Sequence, residues 1–272
     1  MRPMADASPA IAPPEDIASS ISDTCVDKAA LPAGRMLGLG LLAGAYIGFG
    51  SLVAVLIGAG AGELPYGLVQ ITTGIGFALG LILVLLAGAE LFTGNTLMTL
   101  PLAQRRIGPG ALLRAWSLVW LANLGGALAL VLLAIGAGLH LDGDGAFATS
   151  AVELAAGKTS KSAGQIVASG MLANMLVCLA VWMAAGAKSA GDKVAVIVPP
   201  VAAFVALGLE HSIANMSLLP LGLLAQAVTG AELPAGLSWS AAAANLLWST
   251  LGNIIGGGGL GLAYWALYLR RR

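Results

Sequence analysis

Charged residues in this chain gather in short clusters separated by long apolar stretches. No Asp, Glu, Lys or Arg falls within 36–62, 64–89, 115–141, 162–187, 211–231 or 233–269. Two shorter charge-free stretches, 91–104 and 194–209, each abut a glutamate, Glu90 or Glu210, inside a longer apolar region. A helix needs about 20 apolar residues to cross a hydrocarbon core about 30 Å thick. The pattern therefore predicts an all-α membrane protein with six transmembrane helices near 36–61, 66–101, 112–139, 164–187, 194–229 and 239–269, the second and fifth interrupted. Residues 1–35 form a separate N-terminal segment ahead of a 36–272 transmembrane domain.

The two interruptions echo each other. The first reads GAELFTGNTLMTLP (88–101) and the second GLEHSIANMSLLP (208–220), with Gly two residues before Glu, Asn five after it, and Pro ten or eleven after it. Asn123-Leu124-Gly125-Gly126 downstream of the first is matched by Asn253-Ile254-Ile255-Gly256-Gly257 downstream of the second. Repeats of about 36–139 and 164–269 would each hold three spans, an odd number, so the second must be inverted relative to the first. Paired interruptions in inverted repeats point to a permeation site at the membrane midplane. Backbone freed by such a break must face protein or a watery cavity, because lipid cannot satisfy it. Its N–H groups carry the positive end of a helix dipole and suit a small anion. Thr93, Gly94 and Asn95 in one half, and Ser212 to Asn215 in the other, are the natural caps for the resumed helices.

Composition removes the competing classes. Of 272 residues (27.1 kDa), 58% are hydrophobic and 10% charged, with a mean hydropathy of +0.90. A soluble domain carries about 25% charged residues, so neither a water-soluble globule nor a disordered chain is compatible with these values. Thirteen basic and thirteen acidic residues cancel, leaving no global field to hold nucleic acid. Cys25 and Cys178 make no CxxC pair, and no metal-ligand spacing, P-loop or other cofactor motif is present. Glu210-His211 lacks a second histidine at helical spacing, so a zinc hydrolase is excluded, and the chain does not read as an enzyme. Glycine, 38 in all, is scattered through the spans, as close helix packing requires.

The cations set an orientation. In a six-span arrangement Arg2, Lys28, Arg35, Arg105, Arg106, Arg114, Lys188, Lys193, Arg270, Arg271 and Arg272 fall on one side, and only Lys158 and Lys161 on the other. Eleven against two predicts both termini in the cytoplasm, and Trp116, Trp182, Trp239 and Trp265 fall near the predicted interfaces. The first 35 residues, with Asp6, Glu15, Asp16, Asp23 and Asp27, read chiefly as a partly ordered cytoplasmic tail. Pro13 and Pro14 ahead of Glu15 and Asp16 are also compatible with a short helix whose face would carry Ile17, Ile21 and Cys25.

Ionisable groups deep in apolar sequence are costly and default to function. Glu90 and Glu210, being symmetric, suit a scaffold that caps the broken backbone; His211 breaks the symmetry, standing where Leu91 stands in the first half. An imidazole can give or take a proton near neutral pH. Lys158, in GKTSKSAG (157–164), reads either as an electrostatic lure for anions or as a plain interfacial lysine. Asn174 reads equally as a pore-lining residue or an interhelical hydrogen-bonder.

GAELFTGNTLM (88–98), ANMLVCLAVWM (173–183), LEHSIANMSLLP (209–220) and NIIGGGGLGLAYW (253–265) resemble the signature segments of the formate/nitrite transporter family, with a likeness running from about residue 28 to 269. The resemblance implies a homopentamer of aquaporin-like protomers in a bacterial-type inner membrane, each with its own pore for small monovalent anions such as formate, nitrite or hydrosulfide, with proton-coupled passage. It assigns His211, Thr93, Asn174, Glu210 and Lys158 to the substrate pore, and Phe77, Leu81, Leu91, Val177 and Phe204 to two hydrophobic constrictions. Glu90, Asn95 and Asn215 stay with the scaffold. Formate or nitrite is favoured because the ELFTG segment looks most like those branches; hydrosulfide, lactate and a neutral-solute pore are the alternatives. The expected partners are the anion, protons, membrane lipid and further copies of the chain, and no cofactor, metal or nucleic acid is expected.

Overall fold

The computed structural model describes residues 11–62, 64–230 and 234–270; Arg2, Asp6, Arg271 and Arg272, counted above, lie outside them. The regular elements of the described residues are all helices, and one isolated bridge pairs Ile11 with Ala187. In chain order the helices are α1 (Pro14–Ala30), α2 (Ala33–Gly58), α3 (Tyr66–Leu83), α4 (Phe92–Asn95), α5 (Thr99–Ala103), α6 (Pro109–Gly136), α7 (Ala146–Thr159), α8 (Ala163–Gly186), α9 (Ala190–Ala206), α10 (Ser212–Thr229) and α11 (Trp239–Tyr264). A wider π turn, Val84–Gly88, prolongs α3. Five stretches are long and apolar enough to cross a membrane: Ala33–Gly58, Tyr66–Gly88, Pro109–Gly136, Ala163–Gly186 and Ser212–Thr229. Helix α11 has 26 residues, but Asn245, Ser249, Thr250 and Asn253 dilute its apolar character.

Residues 14–30 form the short helix that Pro13 and Pro14 ahead of Glu15 and Asp16 allowed. Pro14 opens α1, Glu15 and Asp16 occupy its first turn and Lys28 its last, each favourable to the helix dipole. Ile17, Ile21, Cys25 and Ala29, four residues apart, form one buried face. Three polar ties then fix the helix: Arg106 pairs with Asp23 (2.7 Å) and donates to Ser22 Oγ (2.9 Å), which donates to Gln104 Oε1 (2.5 Å). The apolar face is short, so composition averaged over the segment hides it.

Burial pushes the Cys25 thiol up to about 12, and the nearby Lys28 ammonium offsets only part of the rise. Only the thiolate reacts readily, so at pH 8 the buried Cys25 thiol is far less reactive than a free cysteine. Residue 25 is expected to stay unmodified by iodoacetamide at pH 8 in the folded protein and to react once it is denatured. Peptide mass spectrometry measures this; equal labelling in both states would show that α1 is undocked in solution.

Beyond α1, the two halves repeat one packing scheme. Helix α2 packs along α6 and against α3, while α8 packs along α11 and against α9; α3 and α9 meet between them. Close approach is set by glycine. A Cβ on Gly126 would lie 1.9 Å from Leu41 O, and one on Gly256 would lie 2.2 Å from Met171 O. Any side chain at either place would push the paired helices apart.

Both chain breaks are built alike. Gly88 (φ 82°) and Gly208 (φ 63°) end the helices leading into them, in a left-handed conformation that a Cβ disfavours. Three residues then run without helical structure, Ala89–Leu91 in one half and Leu209–His211 in the other, before α4 and α10 begin. The halves differ after the break. Helix α10 runs unbroken for 18 residues, whereas residues 92–103 are split by a 3-10 turn, Thr96–Met98.

Candidate functional site

Each break is clamped by an asparagine from a distant helix. On α6, Asn123 donates to Gly40 O (2.8 Å) and Glu90 O (2.9 Å) and accepts from Phe92 N (2.9 Å). On α11, Asn253 donates to Gly170 O (2.8 Å) and Glu210 O (2.9 Å) and accepts from Ser212 N (2.8 Å). One carboxamide thus serves both the carbonyl before the break and the N–H after it. This corrects the expected capping. Thr93, Gly94 and Asn95 do not cap the first resumed helix, because its leading N–H already points to Asn123. Nor does Ser212 cap the second: its buried Oγ has no partner among the described residues. His211 does, with Nδ1 accepting from Ala214 N at 3.1 Å. The first N–H after each break is accordingly engaged by protein.

The glutamates hold the same frame together. Asn95 donates to Glu90 Oε2 (2.9 Å) and Asn215 to Glu210 Oε2 (2.7 Å), and each glutamate meets lysine. Lys28 of α1 lies 3.3 Å from Glu90. Glu210, with no exposed side-chain surface, takes Lys158 at 3.3 Å and Lys161 at 2.6 Å. Such a carboxylate is tolerable in an apolar interior only because it is paired and hydrogen-bonded.

His211 Nε2 and Thr93 Oγ1 stand 2.9 Å apart and join the two breaks directly. Because Nδ1 accepts a backbone N–H, the ring carries its proton on Nε2 and donates to the threonine hydroxyl. The imidazole lies against the Phe204 ring at 5.6 Å between centroids, and Phe204 meets Phe77 edge-on, also at 5.6 Å. Thr93 is fixed from the far side: Asn174 Nδ2 donates to Thr93 O (3.3 Å), Thr96 Oγ1 (2.9 Å) and Asn253 O (2.7 Å). Asn174 thus hydrogen-bonds between helices.

Two cavities approach this pair. One, of about 380 Å³, is lined by Lys158, Lys161, Phe77, Phe204 and His211. The other, of about 410 Å³, is lined by Lys28, Leu81, Glu90, Leu91, Gly94 and Asn95. His211 therefore faces one cavity, and the neighbours of Thr93 in the chain face the other. Phe77 and Phe204 belong with the Lys158 cavity, Leu81 and Leu91 with the Lys28 cavity. Val177 lines neither and is buried in the packing, as is Asn174.

Sequence reasoning missed three groups here. Lys161, counted only as a cation, makes the closer pair with Glu210 and also donates to Gly208 O (2.7 Å). Asn245 donates to Lys158 O (3.0 Å) and accepts from Asn215 (2.7 Å); an amide in an apolar run was its available signal. Lys28 likewise gave only a charge to count, because its role depends on where α1 docks.

Comparison with known proteins agrees with this geometry. A family model described as formate/nitrite transporter matches residues 15–266. The formate channel FocA of Escherichia coli (strain K12) is 40% identical over 228 residues, covering 78% of each chain. The nitrite transporter NirC of the same strain is 37% identical over 198 residues, covering 72% of this chain and 70% of that one. A solved pentameric formate channel with formate bound superposes with a TM-score of 0.79 at 35% identity, covering 88% of this chain and 98% of that one. Relatives of this kind are channels and transporters and not enzymes, and the apolar helices make this an integral, multi-pass membrane protein. With matched breaks, a shared asparagine clamp and a match over nearly its whole length, the chain belongs to the formate/nitrite transporter family.

Proposed function

We propose that the chain is a channel for small monovalent weak-acid anions, formate or nitrite first among them, with one pore per protomer of a homopentamer. In this reading six spans form two inverted three-helix repeats. Helix α11 is the sixth, and α3 with residues 92–103 and α9 with α10 are the interrupted second and fifth. Both termini face the cytoplasm of a bacterial-type inner membrane, as the distribution of lysine and arginine suggests. An anion enters past Lys158, meets the aromatic pair Phe77–Phe204, passes His211 and Thr93, and leaves past Leu81 and Leu91. A bare charge is costly between apolar rings, so passage is assisted by protonation, with His211 as the proton donor and Thr93 orienting it. Glu210 and Asn174 hold that pair in position, while Glu90, Asn95 and Asn215 keep the breaks in shape.

The observation that carries this reading is the His211–Thr93 hydrogen bond standing between two cavities. Purified protein in proteoliposomes tests it by parallel flux of formate, nitrite, hydrosulfide and lactate with a glycerol swelling control. Formate and nitrite are expected to cross at least tenfold faster than lactate, with no glycerol-driven swelling. Swelling by glycerol with no anion flux would make the pore one for neutral solutes, and a maximum for hydrosulfide or lactate would move the substrate within the family.

A further inference from the structure

The two mouths carry different charge. Around the Lys28 cavity stand Lys28, Arg35 and Lys193 with a single carboxylate, Glu90. Only Lys28 pairs with it; Arg35 and Lys193 make no ion pair among the described residues. Around the Lys158 cavity stand Lys158 and Lys161, but both are spent on Glu210 behind them, and a second carboxylate, Glu153, lines the cavity itself. Glu153 is exposed on α7 and has no cation within pairing distance among the described residues. It also borders an adjoining cavity of about 380 Å³ that Asp144 lines. Thus two ammoniums are balanced by two carboxylates at one mouth, while the other keeps an excess of two cations.

A charged cleft concentrates ions of opposite sign and speeds their entry, and a neutral one does not. We infer that Glu153 is the counter-charge that neutralises the Lys158 mouth, making anion capture from that side weaker than from the Lys28 side. The inference rests on the anion-channel reading and adds a residue that sets sidedness. It needs no contact between Glu153 and the permeating anion. In a water-filled mouth, a unit charge several ångströms away alters local anion concentration by about threefold at low salt, and salt near 1 M, with a Debye length of about 3 Å, removes the effect.

Formate uptake into right-side-out and inside-out membrane vesicles tests it, with concentration series at ionic strengths of about 0.01 M and about 1 M. In the unmodified protein, half-saturating formate is expected to be lower on the face bearing the Lys28 mouth, an advantage that high salt abolishes. Glu153→Gln, isosteric and at an exposed place, is expected to lower half-saturation about threefold on the Lys158 face alone, at low salt alone, with maximal flux unchanged. Glu153→Asp, keeping the charge, is expected to follow the unmodified protein. No change in Glu153→Gln at low salt, an equal change on both faces, loss of flux, or sidedness that persists at high salt would each overturn the inference. Failure of the channel reading would look different, since the unmodified protein would then pass no formate from either face.

Discussion

Asn253→Leu is expected to abolish formate flux and to lower the thermal stability of the solubilised protein by an amount equivalent to about 2–4 kcal/mol. The leucine repeats the branched heavy-atom skeleton of asparagine, although with bulkier methyl groups, and makes none of its three bonds. Gly170 lies within a helix, where its carbonyl has an intrahelical partner, so the loss falls mainly on Glu210 O and Ser212 N at the break. Each buried group left without a partner costs about 1–3 kcal/mol, and no water or lipid oxygen can reach this one. Interhelical hydrogen bonds in membranes average only about 0.6 kcal/mol, because the unfolded state in lipid finds other partners. Backbone at a break has fewer such substitutes, which sets the larger figure. The consequence for flux is greater than that for folding, since Ser212 follows His211 directly and the imidazole would lose its register with Thr93. Asn123→Leu should cost as much stability, because its three bonds are the same. A melting temperature and flux unchanged in either variant would show that the breaks hold their shape without the asparagines.

The matching of the asparagines explains what could be read from sequence. Stretches 36–62, 115–141 and 162–187 are charge-free and correspond to Ala33–Gly58, Pro109–Gly136 and Ala163–Gly186, because a helix in lipid must be apolar over its whole length. The breaks were legible for a local reason: Gly88 and Gly208 adopt positive φ two residues before each glutamate. Position was less legible than partnership. Asn123 and Asn253 stand out as an echo, but nothing in one dimension says that each reaches across to Glu90 or Glu210. The capping expectation failed for the same reason, since it assigned the donors to the nearest hydroxyls along the chain. Val177 and Asn174 show a related limit: apolar and polar residues one turn apart on α8 cannot be told to face a cavity or a neighbour until α8 is set against α11.

His211→Asn is expected to reduce formate flux at least tenfold at pH 5 and to flatten its rise as pH falls from about 8 to 5. General acid catalysis by a placed side chain contributes about 10²–10⁴-fold, and the lower end suits a relay that solvent can partly replace. In the resting ring Nδ1 accepts from Ala214 N and the single proton sits on Nε2, directed at Thr93 Oγ1. The ring must therefore first take up a second proton from water before it can pass one to the anion and return to its neutral form. A ring charged at both nitrogens would have to surrender the Ala214 bond, since Nδ1 would become a donor facing a donor. That conflict makes a permanently cationic His211 the poorer fit and a transiently protonated one the better: the ring takes a proton from water, passes one to the anion and returns to the neutral form that the Ala214 bond favours. The asparagine keeps a polar group near the hydroxyl but exchanges no proton near neutral pH, so it separates positioning from transfer. Liposome flux measured across that pH range discriminates three results. A flattened profile supports proton transfer through the imidazole. A profile lowered equally at every pH would make the ring a fixed electrostatic partner of the anion, and coincident profiles would remove it from permeation altogether.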